Sequence, residues 1–249
     1  MSAASAIRLD DLTLGYDRHP AVHHLSGSFG PGSLTAIVGP NGAGKTTLLK
    51  AIVGLLRPLA GRIELGAIRR AEIAYLPQQA DIDRSFPISV LDTVQLGHWS
   101  RIGVFGRISP AMRAAADHAL EAVGLAGFED RPIGSLSAGQ FQRALFARTL
   151  LQDCPVILLD EPFTAIDAHT AQDLLDLVHR WHGERRTVVL VSHDLEQVHR
   201  HFPQTLLVAR EQIGWGPTAE VLTPANLERA GAMLGRWKQN PEICGRSAA

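Results

Sequence analysis

Leu34-Thr35-Ala36-Ile37-Val38 runs directly into Gly39-Pro40-Asn41-Gly42-Ala43-Gly44-Lys45-Thr46-Thr47, and the reading of this stretch decides the fold. The residues before Gly39 are apolar or β-branched, as in a strand buried on both faces. Those from Gly39 to Thr46 match G-x-x-x-x-G-K-[ST]. Leu48, Leu49, Ile52, Val53 and Leu56 then recur at helical spacing and stop before Pro58, predicting a helix over 46–56. Strand, glycine-rich loop and helix in that order predict a phosphate-binding loop. Its glycines let successive N–H groups turn inward, and the helix adds its positive end. Lys45 would reach the β- and γ-phosphates, and Thr46 would offer its hydroxyl to Mg²⁺.

A second apolar run, Val156-Ile157-Leu158-Leu159, ends in Asp160-Glu161. A buried strand delivers Asp160 to its C-terminal edge, where open α/β sheets bind ligands. Asp160 suits a water on Mg²⁺, and Glu161 suits the general base that takes a proton from an attacking water.

Around these two strands the chain reads in three blocks. Residues 7–38 are short alternating segments, with a reversal at Gly30-Pro31-Gly32, and 62–76 return to strand character. Residues 88–150 read as helical: Val90, Val94 and Leu96 fit one helix, 111–123 a second closed by Gly124, and a third follows Gly139. The last block alternates strand (156–159), helix (168–181), strand (187–191) and strand (205–208), which implies parallel pairing. From Gly231 onward no pattern is strong.

Composition sets the outer limits. Lys+Arg 24 against Asp+Glu 25 leaves a net charge of −1, so no global attraction to nucleic acid or anionic lipid is expected. A hydrophobic content of 45% excludes wholesale disorder. No apolar run approaches the ~18 residues of a membrane span. No basic region followed by an apolar run opens the chain, so no secretory signal is expected. Cys154 and Cys244 fit neither a zinc spacing nor a disulfide framework, and a reducing compartment is the simplest reading. Among the 11 histidines, His179 and His182 are spaced to share a helix face, but no Cys or carboxylate partner is evident and they read as solvent-facing.

Further motifs, in order, make the chain resemble the nucleotide-binding domain of ATP-binding-cassette (ABC) proteins over about residues 7–220. Tyr16 stands where that family stacks an aromatic on adenine. Gln78, in Tyr75-Leu76-Pro77-Gln78, matches the loop glutamine that meets Mg²⁺ and the catalytic water. Leu136-Ser137-Ala138-Gly139-Gln140 resembles the family signature, with Ala138 where glycine is commonest. Alanine fits there if the position is helical and is strained if φ is positive. Ala165-Ile166-Asp167 matches the dimer-contacting loop, and His193 in Val191-Ser192-His193-Asp194 the switch histidine.

The resemblance implies a P-loop NTPase α/β core with an antiparallel β subdomain and an α-helical subdomain inserted between the phosphate loop and the acidic strand. It divides the chain into a cassette at 1–225, with the helical subdomain at about 88–150, and a C-terminal tail at 226–249. It assigns ATP to Tyr16, Gly39, Pro40, Asn41, Gly42, Ala43, Gly44, Lys45, Thr46 and Thr47. Mg²⁺ falls to Thr46, Gln78 and Asp160, and catalysis to Glu161, His193 and Gln78. Ser137, Ala138, Gly139 and Gln140 would cover the nucleotide of a second copy in a head-to-tail dimer, with Asp167 at the contact.

With no membrane span, a transport role needs a separate integral-membrane permease. The segment 81–97 is similar to that of ATPases from zinc and manganese importers, although their usual Asp-Trp pair is Asp83-Arg84 here. Phe86, Pro87, Val90 and Leu91 are the candidate permease contacts. The resemblance therefore implies an importer ATPase for a divalent metal, zinc before manganese or iron, served indirectly by a periplasmic or surface metal-binding protein. It would sit on the cytoplasmic face of the inner membrane, without nucleic acid as a partner. An ATPase of a siderophore, haem or cobalamin importer, or a soluble ABC ATPase of cluster assembly, remain the alternatives.

Overall fold

A computed structural model describes residues 7–16, 19–103, 106–164 and 166–239. Cys244 and Ala165, both named above, lie outside them. In chain order the strands are β1 (Ile7–Tyr16), β2 (His19–Phe29), β3 (Leu34–Val38), β4 (Ala60–Glu64), β5 (Ile73–Leu76), β6 (Val156–Asp160), β7 (Thr187–Val191), β8 (Gln204–Ala209) and β9 (Glu211–Pro217). The helices are α1 (Lys45–Ile52), α2 (Val90–Gln95), α3 (Trp99–Ile102), α4 (Pro110–Ala122), α5 (Ala138–Gln152), α6 (Ala168–Gly183), α7 (Leu195–His201), α8 (Thr218–Val221) and α9 (Pro224–Gln239). Two units result, one from Met1–Arg70 with Thr187–Ala249 and one from Ala71–Arg186.

In the first unit β2, β1 and β4 form an antiparallel sheet in that order. Separately, β3 lies between β7 and β8 and is parallel to both, with β9 antiparallel on the far side of β8. Every residue of β3 and β7 is buried, as their continuous apolar runs demand. Helix α1 is shorter than its apolar spacing suggests. Gly54 takes φ +85° and Leu55 N bonds back to Lys50 O at 2.8 Å, closing the helix and leaving Leu55 exposed. The strand character of 62–76 resolves into β4 and β5, separated by a turn in which Gly66 takes φ +59°.

Helix α9 begins where periodicity alone found little. Thr223 Oγ1 accepts from Asn226 N at 3.3 Å, and Pro224 supplies a first residue that needs no N–H acceptor. Its Ala230 is buried, and the helix packs on β8 and β9.

In the second unit β5 and β6 pair in parallel, Tyr75 opposite Leu158. Helices α2, α4 and α5 pack together, their starts set by side-chain caps: Ser89 accepts from Asp92 N at 3.0 Å and Ser109 from Met112 N at 3.2 Å. Gly124, with φ +70°, closes the run after α4. Phe146 of α5 stacks on Trp181 of α6 with ring centroids 5.7 Å apart and planes 6° from parallel. Among the described residues no helix is long and apolar enough to cross a membrane.

Candidate nucleotide site

The phosphate loop belongs to the first unit, and its shape depends on glycine at two close approaches. A Cβ on Gly39 would stand 1.9 Å from Val208 O, and one on Gly44 would stand 2.3 Å from Val22 Cγ2. Both positions also have positive φ, at 152° and 95°. Ala43 N donates to Pro40 O at 3.1 Å, and Arg210 N donates to Ala43 O at 3.1 Å, pinning the loop to the end of β8. Lys45 is buried, and its Nζ donates to Gly39 O at 2.8 Å and Pro40 O at 3.2 Å. Its ammonium therefore lies inside the curve of the loop, on the side where phosphate oxygens are drawn.

Thr46 and Thr47 follow on the first turn of α1, with Thr47 buried and Thr46 half-buried. Tyr16 ends β1 and leaves half of its surface (50%) exposed, so a ring face is open to stacking. His193 is exposed on the loop between β7 and α7. A cavity of about 360 Å³ joins His193 to Gly39, Pro40 and Asn41, and α9 lines it with Leu227, Ala230 and Gly231. The Gly39–Asn41 loop and His193, far apart in sequence, thus share one wall, and α9 is the part of it that sequence reading missed.

The second unit carries the acidic pair. Asp160 is completely buried at the end of β6, and Tyr75 Oη donates to its Oδ2 at 3.3 Å. Glu161 turns the chain with φ +48°, a left-handed conformation that costs a non-glycine residue roughly 1–2 kcal/mol. Such strain concentrates at functional sites. Thr164 holds the turn, its Oγ1 donating to Glu161 Oε2 at 3.3 Å and its N to Glu161 O at 3.3 Å.

Gln78 follows β5 with an extended backbone. Its neighbour Gln79 reaches α5, Nε2 donating to Gln142 Oε1 at 2.8 Å and to Ala138 O at 3.2 Å. Ser137 caps α5 in a reciprocal box: Gln140 N donates to Ser137 Oγ at 3.2 Å and Ser137 N to Gln140 Oε1 at 3.0 Å. Ala138 is therefore the first helical residue and has no positive φ, which is why alanine is accommodated there. The nearest atoms to a Cβ on Gly139 would be those of Asp167 and Thr170, at 3.6 Å, an ordinary contact, so no crowding there requires glycine.

Asp167 caps α6 through Thr170 N at 2.9 Å and accepts from Thr170 Oγ1 at 2.8 Å. These bonds hold its carboxyl below the usual range. Arg143 joins α5 to α6, donating to Thr170 Oγ1 at 3.2 Å and Asp173 Oδ2 at 2.8 Å. Among the described residues no group of three or more His, Cys, Asp or Glu is placed to hold a metal ion.

Of the four proposed permease contacts, only two are on the surface. Phe86 is 63% exposed and Pro87 is exposed, whereas Val90 and Leu91 are buried. Val90 and Leu91 are core residues of α2, which packs on α4 and α5, and they present no surface to a partner. Tyr75, Gln79 and Arg143 were not singled out from sequence, because each acts across elements that only tertiary folding brings together.

Residues 22–164 match the family described as ABC transporter. The manganese transport system ATP-binding protein MntA of Synechocystis is 38% identical over 89% of this chain and 88% of its own length. The zinc transport system ATP-binding protein TroB of Treponema pallidum is 38% identical over 92% of this chain and 88% of its own. A solved ABC transporter of metal-chelate type, in an inward-facing conformation, is similar with a TM-score of 0.81 and 30% identity, covering 92% of this chain and 89% of that one. With its phosphate loop, buried acidic strand end, capped signature turn and helical insert, the chain belongs to the ABC transporter family, as an ATP-hydrolysing cassette.

Proposed function

We propose that this chain is the ATPase of an importer of a divalent metal ion, zinc or manganese, working as a head-to-tail pair on the cytoplasmic face of a membrane permease. The observation that carries this reading is likeness along nine-tenths of the chain to ATP-binding proteins named for manganese and zinc transport. Segment 81–97 resembles that of zinc and manganese importer ATPases alike, and relatives named for each metal support both as cargo. The likeness to a metal-chelate-type transporter supports the chelate importer as the second reading.

ATP lies with its adenine on Tyr16 and its phosphates in residues 39–47, where Lys45 neutralises the β- and γ-oxygens. Thr46 and Asp160 are hard oxygen donors that fit Mg²⁺, with Gln78 as a further donor; the buried, Tyr75-oriented carboxylate suits a small cation that demands strict geometry. When bound, Mg²⁺ neutralises charge on the phosphate oxygens. Glu161 takes the proton of the water that attacks the γ-phosphorus as the bond to ADP breaks, and His193 contacts the γ-phosphate. Ser137, Ala138, Gly139 and Gln140 of a second copy close the site with N–H donors and the positive end of α5, and Asp167 lies at that contact. Phe86 and Pro87 meet the permease.

Metal uptake by cells carrying Lys45→Ala tests the reading, with zinc and manganese measured side by side. Loss of uptake of one metal is expected and identifies the cargo. Undiminished uptake of both, with loss of haem, siderophore or cobalamin uptake, overturns the metal assignment. Phe86→Asp is expected to lose co-purification with the permease while retaining ATP hydrolysis.

A further inference from the structure

The residues after Gln78 are zipped to the stretch that leads into Ser137. Ile133 N donates to Ile88 O at 3.1 Å, Val90 N to Arg131 O at 2.8 Å and Leu91 N to Glu129 O at 3.0 Å. A Cβ on Gly134 would lie 2.9 Å from Arg84 O, so the two stretches also meet backbone to backbone. The exposed Phe86 and Pro87 are thus the tip of a ribbon whose other side runs directly into the cap of α5.

Arg84 locks this ribbon two residues before the tip. Its Nη2 donates to Leu136 O and to Ile133 O, and its guanidinium carbon stands 4.8 Å from the centre of the buried Phe141 ring. The peptide between Leu136 and Ser137 is consequently held on both sides, its oxygen by Arg84 and its N–H by Gln140 Oε1 at 3.0 Å. Rotation of that peptide re-aims Ser137. Charge-assisted bonds to carbonyls outweigh neutral ones, and only a planar guanidinium both bonds in this way and stacks on the ring.

We propose that Arg84 is a positioning residue that passes displacement of the Phe86 and Pro87 tip to Ser137 and Gly139. This rests on the reading of those two residues as the closure of the ATP site in a second copy. Because the ties are short and continuous, motion at the tip and at the cap is shared, and no long relay is needed.

The test uses the full chain in a Glu161→Gln background, following ATP-driven pairing by light scattering and ADP binding by calorimetry. Arg84→Met is expected to raise the ATP concentration for half-maximal pairing by roughly ten-fold, with ADP affinity and thermal midpoint near the parent's. Arg84→Lys, which keeps the charge, is expected to fall between the two. Combined with Ser137→Ala, Arg84→Met should add little, since both act through one turn. Pairing of Arg84→Met at the parental ATP concentration overturns the inference, as do losses that add fully to those of Ser137→Ala. Loss of ADP binding in both the Met and Lys variants also overturns it, by marking Arg84 as general support for the fold. If Glu161→Gln itself never pairs with ATP, the proposed function fails and the inference fails with it.

Discussion

Tyr75 donates its phenolic hydrogen bond to Asp160 Oδ2 at 3.3 Å, from one strand of the β5–β6 pair to the end of the other. The carboxylate is fully buried, so hydrogen-bond partners such as Tyr75 orient it. Tyr75→Phe removes the bond and keeps the ring. The kcat for ATP hydrolysis is expected to fall roughly 5- to 10-fold at saturating nucleotide, with ATP affinity retained. An unchanged kcat would show that Asp160 needs no help from Tyr75.

Glu161, the proposed general base, has a strained backbone, φ +48°. Glu161→Gln is expected to slow hydrolysis by at least about 100-fold and to trap an ATP-bound pair. Glu161→Asn also loses the base, but asparagine tolerates the left-handed region, so its thermal midpoint should equal or exceed that of the parent. Wild-type turnover in either variant rules out Glu161 as the base.

Glycines 39 and 42 separate crowding from conformation in the phosphate loop. A Cβ at Gly39 collides with Val208 O, whereas one at Gly42 meets nothing within 4 Å although φ is +82°. Gly42→Ala should cost only about 1 kcal/mol and leave a folded chain. Gly39→Ala should unfold at a clearly lower denaturant concentration, because backbone must move. Equal denaturation midpoints for the two variants would refute the distinction.

His23 is buried, and desolvation, with the charges of His24 and Arg210 beside it, pushes its pKa from 6.5 to about 4. The unfolded chain therefore takes up this proton at a higher pH than the folded one. Stability from His23 is complete above about pH 6.5 and is lost as the pH falls through about 4, by up to about 3 kcal/mol. Thermal midpoints measured across that window should drop more steeply for the parent than for His23→Gln. Parallel slopes would remove His23 from the acid response.

Legibility in the sequence followed the range of the interactions. The phosphate loop was readable because its chemistry is carried by adjacent residues, and β3, β6 and β7 because a doubly buried strand is apolar throughout. Helix α9 was missed because its start depends on the local cap at Thr223 and Pro224 and not on a clear apolar stripe. The resemblance of segment 81–97 put Val90 and Leu91 among the permease contacts, but likeness along a segment does not say which of its residues the fold buries.

By itself the sequence determined the family, the nucleotide and the residue types at the site, since phosphate binding needs glycines, a lysine and a hydroxyl at fixed local spacing. Only the tertiary structure decided that Ala138 sits in a helix, that Tyr75 orients Asp160 and that Arg84 holds the peptide before Ser137. Those relationships join residues dozens of positions apart. They exist only when strands pair and helices pack, and one-dimensional periodicity carries no record of which partner a buried side chain meets.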